Sequence, residues 1–289
     1  MSPSTSTVCA PATSTRPCLA SFDGVRKHRG RRLVWIAAAA VLAVSCAGSV
    51  EQSALGEPPG TSAVAGPAVS PGEACGEPIR VLGIGDSIAA QAVGPALDTL
   101  SEMGFETRLD ARWGSGLLDS DPDWMALARR HAASFDPALV LVLFYGNYSQ
   151  PVVGLSGLPI EAGSAASLEL WAERARQFTE VFTGTGVPVS WISPPPEPPK
   201  PGDPGTTPRS WTYAAREVRE IPGVQLLASG QLLSDPDGSW VSSIVDDAGR
   251  SQQVRDPDRI HLLPFSADLM AADIVRHVVE RQLVEGCPG

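Results

Sequence analysis

The chain has 289 residues, a formal net charge of −10, and an excess of glycine and proline, at 28 and 27 residues. The length allows one large domain or two small ones, and 43% hydrophobic content with a mean hydropathy of +0.01 excludes a wholly disordered chain. The acidic balance excludes a general nucleic-acid binder, which needs a basic surface, and the lack of any apolar run of about eighteen residues excludes a multi-span membrane protein.

Residues 26–32 read RKHRGRR, residues 33–44 read LVWIAAAAVLAV, and Ser45-Cys46-Ala47-Gly48 follows. A basic stretch, a short apolar run and small residues are the three parts of an export signal. The run is too short to span a bilayer comfortably. Cys46, directly after Ala43-Val44-Ser45, resembles the cysteine of a bacterial lipoprotein box, which is lipidated and becomes the mature N-terminus. Ala43 stands where such boxes prefer Leu. A cleaved secreted protein and an uncleaved anchor are the alternatives. Residues 1–46 are therefore expected to direct export. Residues 47–74 carry Gly, Pro, Ala, Ser and Glu without hydrophobic periodicity and read as a flexible tether. One folded domain is expected over 75–289. Residues 1–45 hold six basic and one acidic residue of the chain's 22 and 32, so the remainder has a net charge of −15.

The five cysteines divide accordingly. Cys9 and Cys18 precede the signal, and Cys46 is the lipidation candidate. Cys75 and Cys287 stand at the two ends of the domain, where an oxidising compartment favours one disulfide between them. Chain entropy gives such a long loop about 4–5 kcal/mol at most. Two free thiols are the alternative. Neither cysteine has a second ligand nearby, so no metal site is expected there.

Within the domain, Arg80–Ile84 is a short apolar run ending in Gly85-Asp86-Ser87. Ala89, Val93, Leu97 and Leu100 then fall at helical spacing, with Gly94-Pro95 as a kink or a first turn. Phe105–Ala111 reads as a second strand and Asp123–Ser134 as a helix with Trp124, Leu127, Ala128 and His131 on one face. Ala138–Tyr145, ALVLVLFY, is apolar on both faces, as a central parallel strand is. A helix over about 166–182 and a strand over Val187–Ile192 follow. Residues 193–208 contain eight prolines and form a stiff loop. Trp211–Glu220 is helical, Val224–Leu227 is a fifth strand, and a last helix spans about 266–285. Alternating strands and helices predict a five-stranded parallel sheet covered on both faces, a three-layer α/β/α domain.

Ligands bind beyond the carboxyl ends of such strands. Four features sit there. Gly85-Asp86-Ser87-Ile88 puts a serine at a helix head, where free N–H groups suit an oxyanion, although a turn and helix cap is the commoner role of such a triplet. Ala89 in place of a second glycine separates it from the G-x-S-x-G elbow. Trp113-Gly114-Ser115-Gly116 follows the second strand, and glycines there let a backbone N–H approach a substrate. Tyr145-Gly146-Asn147-Tyr148 ends the third strand. Asp258-Arg259-Ile260-His261 precedes the last helix, and an Asp three residues before a His can accept its Nδ1–H and leave Nε2 free as a base. Of the other histidines, His131 is expected to be packed and His277 solvated. Asp119, Asp121 and Asp123 read as a loop entering a helix rather than a calcium site, since the glycine and closing Glu of an EF-hand loop are missing. Trp191, Trp211 and Trp240 read as core, with a sugar-binding surface as the alternative.

Ser after the first strand, Gly after the second, Asn after the third and Asp-x-x-His before the last helix resemble, in that order, the blocks of the SGNH/GDSL hydrolase family. The resemblance covers most of residues 77–285. It implies a flavodoxin-like α/β/α fold and a serine esterase with Ser87 as nucleophile, His261 as general base and Asp258 orienting it. The oxyanion hole it implies is the Ser87 N–H, the Gly116 N–H in preference to Gly114, and the Asn147 side chain. Tyr148 departs from the family, which usually has Asp there. The resemblance implies no cofactor and no metal. The expected substrate is a small-molecule or glycan acyl ester met outside the cytoplasm by a monomer anchored to a membrane through lipid. An O-acyltransferase with the same triad and a non-catalytic binding module are the alternatives.

Overall fold

The alternating pattern of strands and helices is borne out in a computed structural model that describes residues 78–146, 152–153, 157–202 and 205–282. The predicted export signal and tether, with Cys46, Cys75 and Cys287, lie outside the described residues, as do Asn147 and Tyr148. The elements are β1 (Arg80–Gly85), α1 (Ser87–Glu102), β2 (Glu106–Ala111), α2 (Trp124–Ser134), β3 (Leu139–Leu143), β4 (Val152–Val153), β5 (Pro159–Ile160), α3 (Ala165–Thr183), β6 (Val189–Ile192), α4 (Arg209–Val218), β7 (Val224–Leu227), β8 (Ser243–Val245), β9 (Ser251–Gln253) and α5 (Pro264–Gln282). Five strands form one sheet in the order β2-β1-β3-β6-β7, and every pairing in it is parallel. The order reverses between β1 and β3, at the centre of the sheet.

Side-chain alternation along the strands makes two cores. Leu139, Leu141 and Leu143 of β3 pack with Ala92, Val93, Leu97 and Leu100 of α1 and with Met270, Ile274 and Val278 of α5. Val140 and Val142 face the other way, against α2, α3 and α4. All five residues of β3 are buried. Each such side chain contributes about 1.5–3 kcal/mol on burial, so the central strand is held from both faces. Beyond its end, Phe144 meets Trp124 edge-on at 5.1 Å and Phe178 at 6.2 Å. Trp191 belongs to this core, with its Nε1–H donating to Thr179 Oγ1 at 2.9 Å. The core reading of Trp191 therefore holds, while Trp211 and Trp240 are half-buried.

Pro95 neither starts nor ends a helix, because α1 runs through it. An interior proline costs about 3 kcal/mol, but Ala92, Val93, Ala96, Leu97 and Leu100 are all buried on either side of it. Their combined burial exceeds that cost, so tertiary packing outweighs the local breaker. The hairpins β4–β5 and β8–β9 have two and three residues per strand, too short to show a period of two.

The junction of β1 with β3 has no room for a side chain. A Cβ on Gly85 would lie 1.8 Å from the Leu143 carbonyl oxygen and 2.6 Å from the Ala89 Cβ. Backbone cannot yield as a flexible side chain does. Gly85→Ala is expected to destabilise the domain by about 3 kcal/mol or more, at the upper end of overpacking effects. Chemical denaturation measures this, and a wild-type midpoint would contradict the close approach.

Candidate active site

The carboxyl ends of β1 and β3 adjoin where the strand order reverses, which is where open α/β sheets place ligands. Asp86 follows β1 and is fully buried. Its Oδ1 accepts the Ile88 N–H at 3.0 Å, capping α1, and its Oδ2 accepts the Tyr145 N–H at 2.6 Å from the end of β3. One carboxylate thus joins two strand ends and a helix head. Burial pushes the Asp86 carboxyl up to about 6, against the N–H groups of Tyr145, Ile88, Gly146 and Ala89, which favour the ionised form.

Ser87 is the first residue of α1 and is 4% exposed. As a first-turn donor, its N–H has no acceptor four residues back within the helix. Its Oγ lies 3.0 Å from His261 Nε2, and His261 Nδ1 lies 2.5 Å from Asp258 Oδ2. The structure therefore brings together the three side chains singled out in the sequence. Asp258 Oδ1 also accepts the Ile260 and His261 N–H groups at 2.8 and 3.0 Å. Burial raises the Asp258 carboxyl, but the bond from the His261 side chain and those from the Ile260 and His261 N–H groups outweigh it, leaving it lowered to about 2.

The turn that carries Asp258 and His261 is pinned at several points. Arg255 and Leu262 bridge its base, and Asp256 N–H donates to the His261 carbonyl at 2.9 Å. Arg259 takes a left-handed conformation, φ +67, which turns the chain between Asp258 and His261. Its guanidinium sits over Trp240, 5.1 Å from the ring centroid. Buried Arg255 reaches the Pro196 carbonyl at 3.3 Å and ties the turn to the proline-rich loop. Burial lowers the Arg255 guanidinium to about 10, opposed by Tyr145 and Asp258.

Two further residues, both missed in the sequence, contact this turn from the α1 and β2 sides. Gln91, one helical turn beyond Ser87, donates from Nε2 to the Leu262 carbonyl at 3.1 Å and accepts the Leu262 N–H on Oε1 at 3.0 Å. This amide pairs with the peptide next to His261 as a neighbouring strand would. The only sequence signal was its place four residues after Ser87. Trp113 stacks on the His261 ring, with centroids 4.9 Å apart and planes at 24°, yet it is 64% exposed.

The second-strand glycines are redistributed. The Gly116 N–H donates to Asp119 Oδ2 at 2.6 Å, so it is engaged rather than open, contrary to the preference for Gly116. Gly114 is exposed at φ +71. Asp123 caps α2 through the Met125 and Ala126 N–H groups, so the acidic run is a helix entry as expected. His131 is buried, with Nε2 2.8 Å from Asp110 Oδ2, and Asp110 Oδ1 lies 2.8 Å from Arg112 Nε. His277 is half-buried rather than fully solvated. Among the described residues no three His, Cys, Asp or Glu side chains gather as a metal site, and no helix is long and apolar enough to cross a membrane.

A serine heading the first helix and an Asp–His turn before the last meet at the carboxyl edge of this sheet. The family model described as "Protein of unknown function (DUF459)" matches residues 80–277, and the chain belongs to that family. Among solved structures it is similar to a GDSL-like lipase from Bacteroides thetaiotaomicron, at 15% identity and TM-score 0.47 over 70% of this chain and 88% of that one. It is also similar to the C-terminal catalytic domain of peptidoglycan O-acetyltransferase A from Streptococcus pneumoniae, at 15% identity and TM-score 0.41 over 71% and 94%. A carbohydrate esterase family 3 protein from Talaromyces cellulolyticus is similar at 10% identity and TM-score 0.46 over 72% and 100%. No curated protein matches.

The buried Asp86 carboxyl sets a pH dependence. Its folded value of about 6 lies above the ordinary 3.8. Between those values the unfolded chain gives up its proton first, so this group's contribution to stability is full below 3.8 and is lost as pH rises through about 6. Asp86→Asn cannot ionise and is expected to remove that slope, read as denaturation midpoints across the window. An identical slope in the variant would contradict the assignment.

Proposed function

We propose that the protein is a serine esterase that hydrolyses carboxylic O-acyl esters. The observation that carries this reading is one imidazole bridging Ser87 Oγ at 3.0 Å and Asp258 Oδ2 at 2.5 Å. Ser87 Oγ attacks the ester carbonyl carbon while His261 Nε2 takes its proton. Asp258 accepts the Nδ1–H and stabilises the imidazolium, and it stays ionised well below neutral pH. The carbonyl oxygen becomes an oxyanion facing the Ser87 N–H, a glycine N–H after β2 and the Asn147 amide. Because Asp119 holds the Gly116 N–H, Gly114 is the glycine assigned here. His261 then protonates the leaving alcohol, and water, activated by the same imidazole, releases the acid and restores Ser87.

An alcohol in place of water would make the same acyl-enzyme a transferase. Exposure of the rim favours water, since the Asp258 and His261 side chains are 46% and 25% exposed. The basic-apolar-small leader and the tether support action outside the cytoplasm, from a lipid anchor on Cys46 or in free secreted form, with Cys75 and Cys287 joined. The product ratio with an added glycan acceptor separates hydrolysis from transfer.

A fluorophosphonate probe is expected to label the wild-type chain at Ser87 and to leave Ser87→Ala unlabelled. Ester turnover is expected to vanish in Ser87→Ala and to fall on the order of 10²–10³-fold in kcat in Asn147→Ala, as for other oxyanion donors. Wild-type turnover in Ser87→Ala would overturn the mechanism. Absence of labelling in the wild type would favour a binding module instead.

A further inference from the structure

Trp113 has no role in the steps set out above, and its environment is unusual. It lies just beyond the carboxyl end of β2, stacks one face on His261 at 4.9 Å, and keeps 64% of its surface exposed. A single exposed apolar residue is ordinary on a protein surface. One layered on the histidine that contacts the nucleophile is placed for use. The near-parallel planes, 24° apart, cover one face of the indole and leave the other outward.

The side of the site on which Trp113 lies follows from His261. Nε2 hands its proton to the leaving oxygen, so the imidazole stands next to the alcohol half of the ester rather than the acyl half. An indole layered on that imidazole extends the same side. Its surroundings are polar. Arg112 precedes it, with a side chain 55% exposed and Nε held by Asp110. Asp258, 46% exposed, stands on the far edge of His261. A single aromatic face bordered by charged donors and acceptors suits a compact ring that is apolar on one face and carries hydroxyls at its edge. A long hydrocarbon chain would need a longer apolar track.

We propose that Trp113 is the platform for the alcohol half of the substrate, and that this half is a pyranose ring, so that the ester is an O-acylated carbohydrate. This rests on the serine esterase reading and narrows its substrate class. The C–H face of the sugar packs on the outer indole face while its ester oxygen lies toward His261 Nε2. The contact with His261 has a second consequence. The imidazolium formed during acyl transfer faces an aromatic ring, an arrangement that stabilises cations.

The test compares full-length wild type, Trp113→Phe and Trp113→Ala on an O-acetylated methyl glucopyranoside and on ethyl acetate. In Trp113→Ala the loss of kcat/KM on the glycoside is expected to exceed the loss on ethyl acetate by roughly tenfold, equivalent to about 1.4 kcal/mol. The excess is expected in KM, with partial recovery in Trp113→Phe. Equal losses on both substrates, confined to kcat, would overturn the proposal and leave Trp113 as a support for His261 alone. A Trp113-dependent preference that grows with acyl chain length across p-nitrophenyl esters would overturn it in favour of an acyl platform. Binding of the glycoside to Ser87→Ala, with and without Trp113→Ala, separates this proposal from the esterase reading. Weaker binding without the indole supports the platform even where turnover is absent, and unchanged binding overturns it.

Discussion

One buried carboxylate joins the parts on which the site depends. Asp86 caps α1 and holds the end of β3 beside the end of β1, over the contact that only a glycine at position 85 permits. The first helical residue after it is Ser87, so the clamp that closes the centre of the sheet also aims the proposed nucleophile. Keeping an ionised carboxylate in a dry site is costly. The burial that raises its proton affinity is opposed by four converging N–H groups. The proposed site lies at a tightly constrained point of the fold, and the rigidity that its proposed chemistry needs comes from the packing that β3 requires anyway.

The histidine side is built differently. Asp258 and His261 sit on an exposed turn rather than in the core, and their geometry is imposed from outside. Gln91 pairs with both polar groups of Leu262, Arg255 anchors the base of the turn, Arg259 reverses the chain with a left-handed backbone, and Trp113 covers one face of the ring. A left-handed non-glycine residue costs on the order of 1 kcal/mol, and each intramolecular hydrogen bond returns a similar amount. The turn is therefore held by several small contributions. A rigid serine facing a positioned but solvent-accessible base fits a site that admits both a bulky alcohol and the water that follows it.

Much of this was legible in the sequence for identifiable reasons. The run ALVLVLFY reads as a strand buried on both faces, and the spacing of Asp258 and His261 corresponds to a turn in which one side chain reaches the other. The order of the four blocks along the chain predicted their convergence, and for Ser87, Asp258 and His261 the described residues show it. What was not legible depends on distant partners. Gln91 meets Leu262 across 171 residues, and a lone glutamine in a helix carries no sign of that. The Trp113-Gly114-Ser115-Gly116 block draws attention to its glycines, and only the fold reveals that the neighbour of Trp113 is His261. Asp119 removes Gly116 from consideration through a bond three residues back, a local choice that composition does not encode. The first-turn reading of Pro95 fails because helix propensity is local, whereas the packing of the five buried residues around it is not.

The central claim is that Ser87, with His261 behind it, carries the acyl group. The most direct measurement is rapid acid quenching of the full-length protein mixed with excess activated ester, followed by peptide mass mapping. The account predicts a mass increase equal to the acyl group on the peptide containing Ser87, formed within the first turnover and lost when ester is exhausted, and no such adduct in His261→Ala on that timescale. Turnover of ester with no acylated Ser87 at any quench time, or an acyl adduct on another residue, would contradict it.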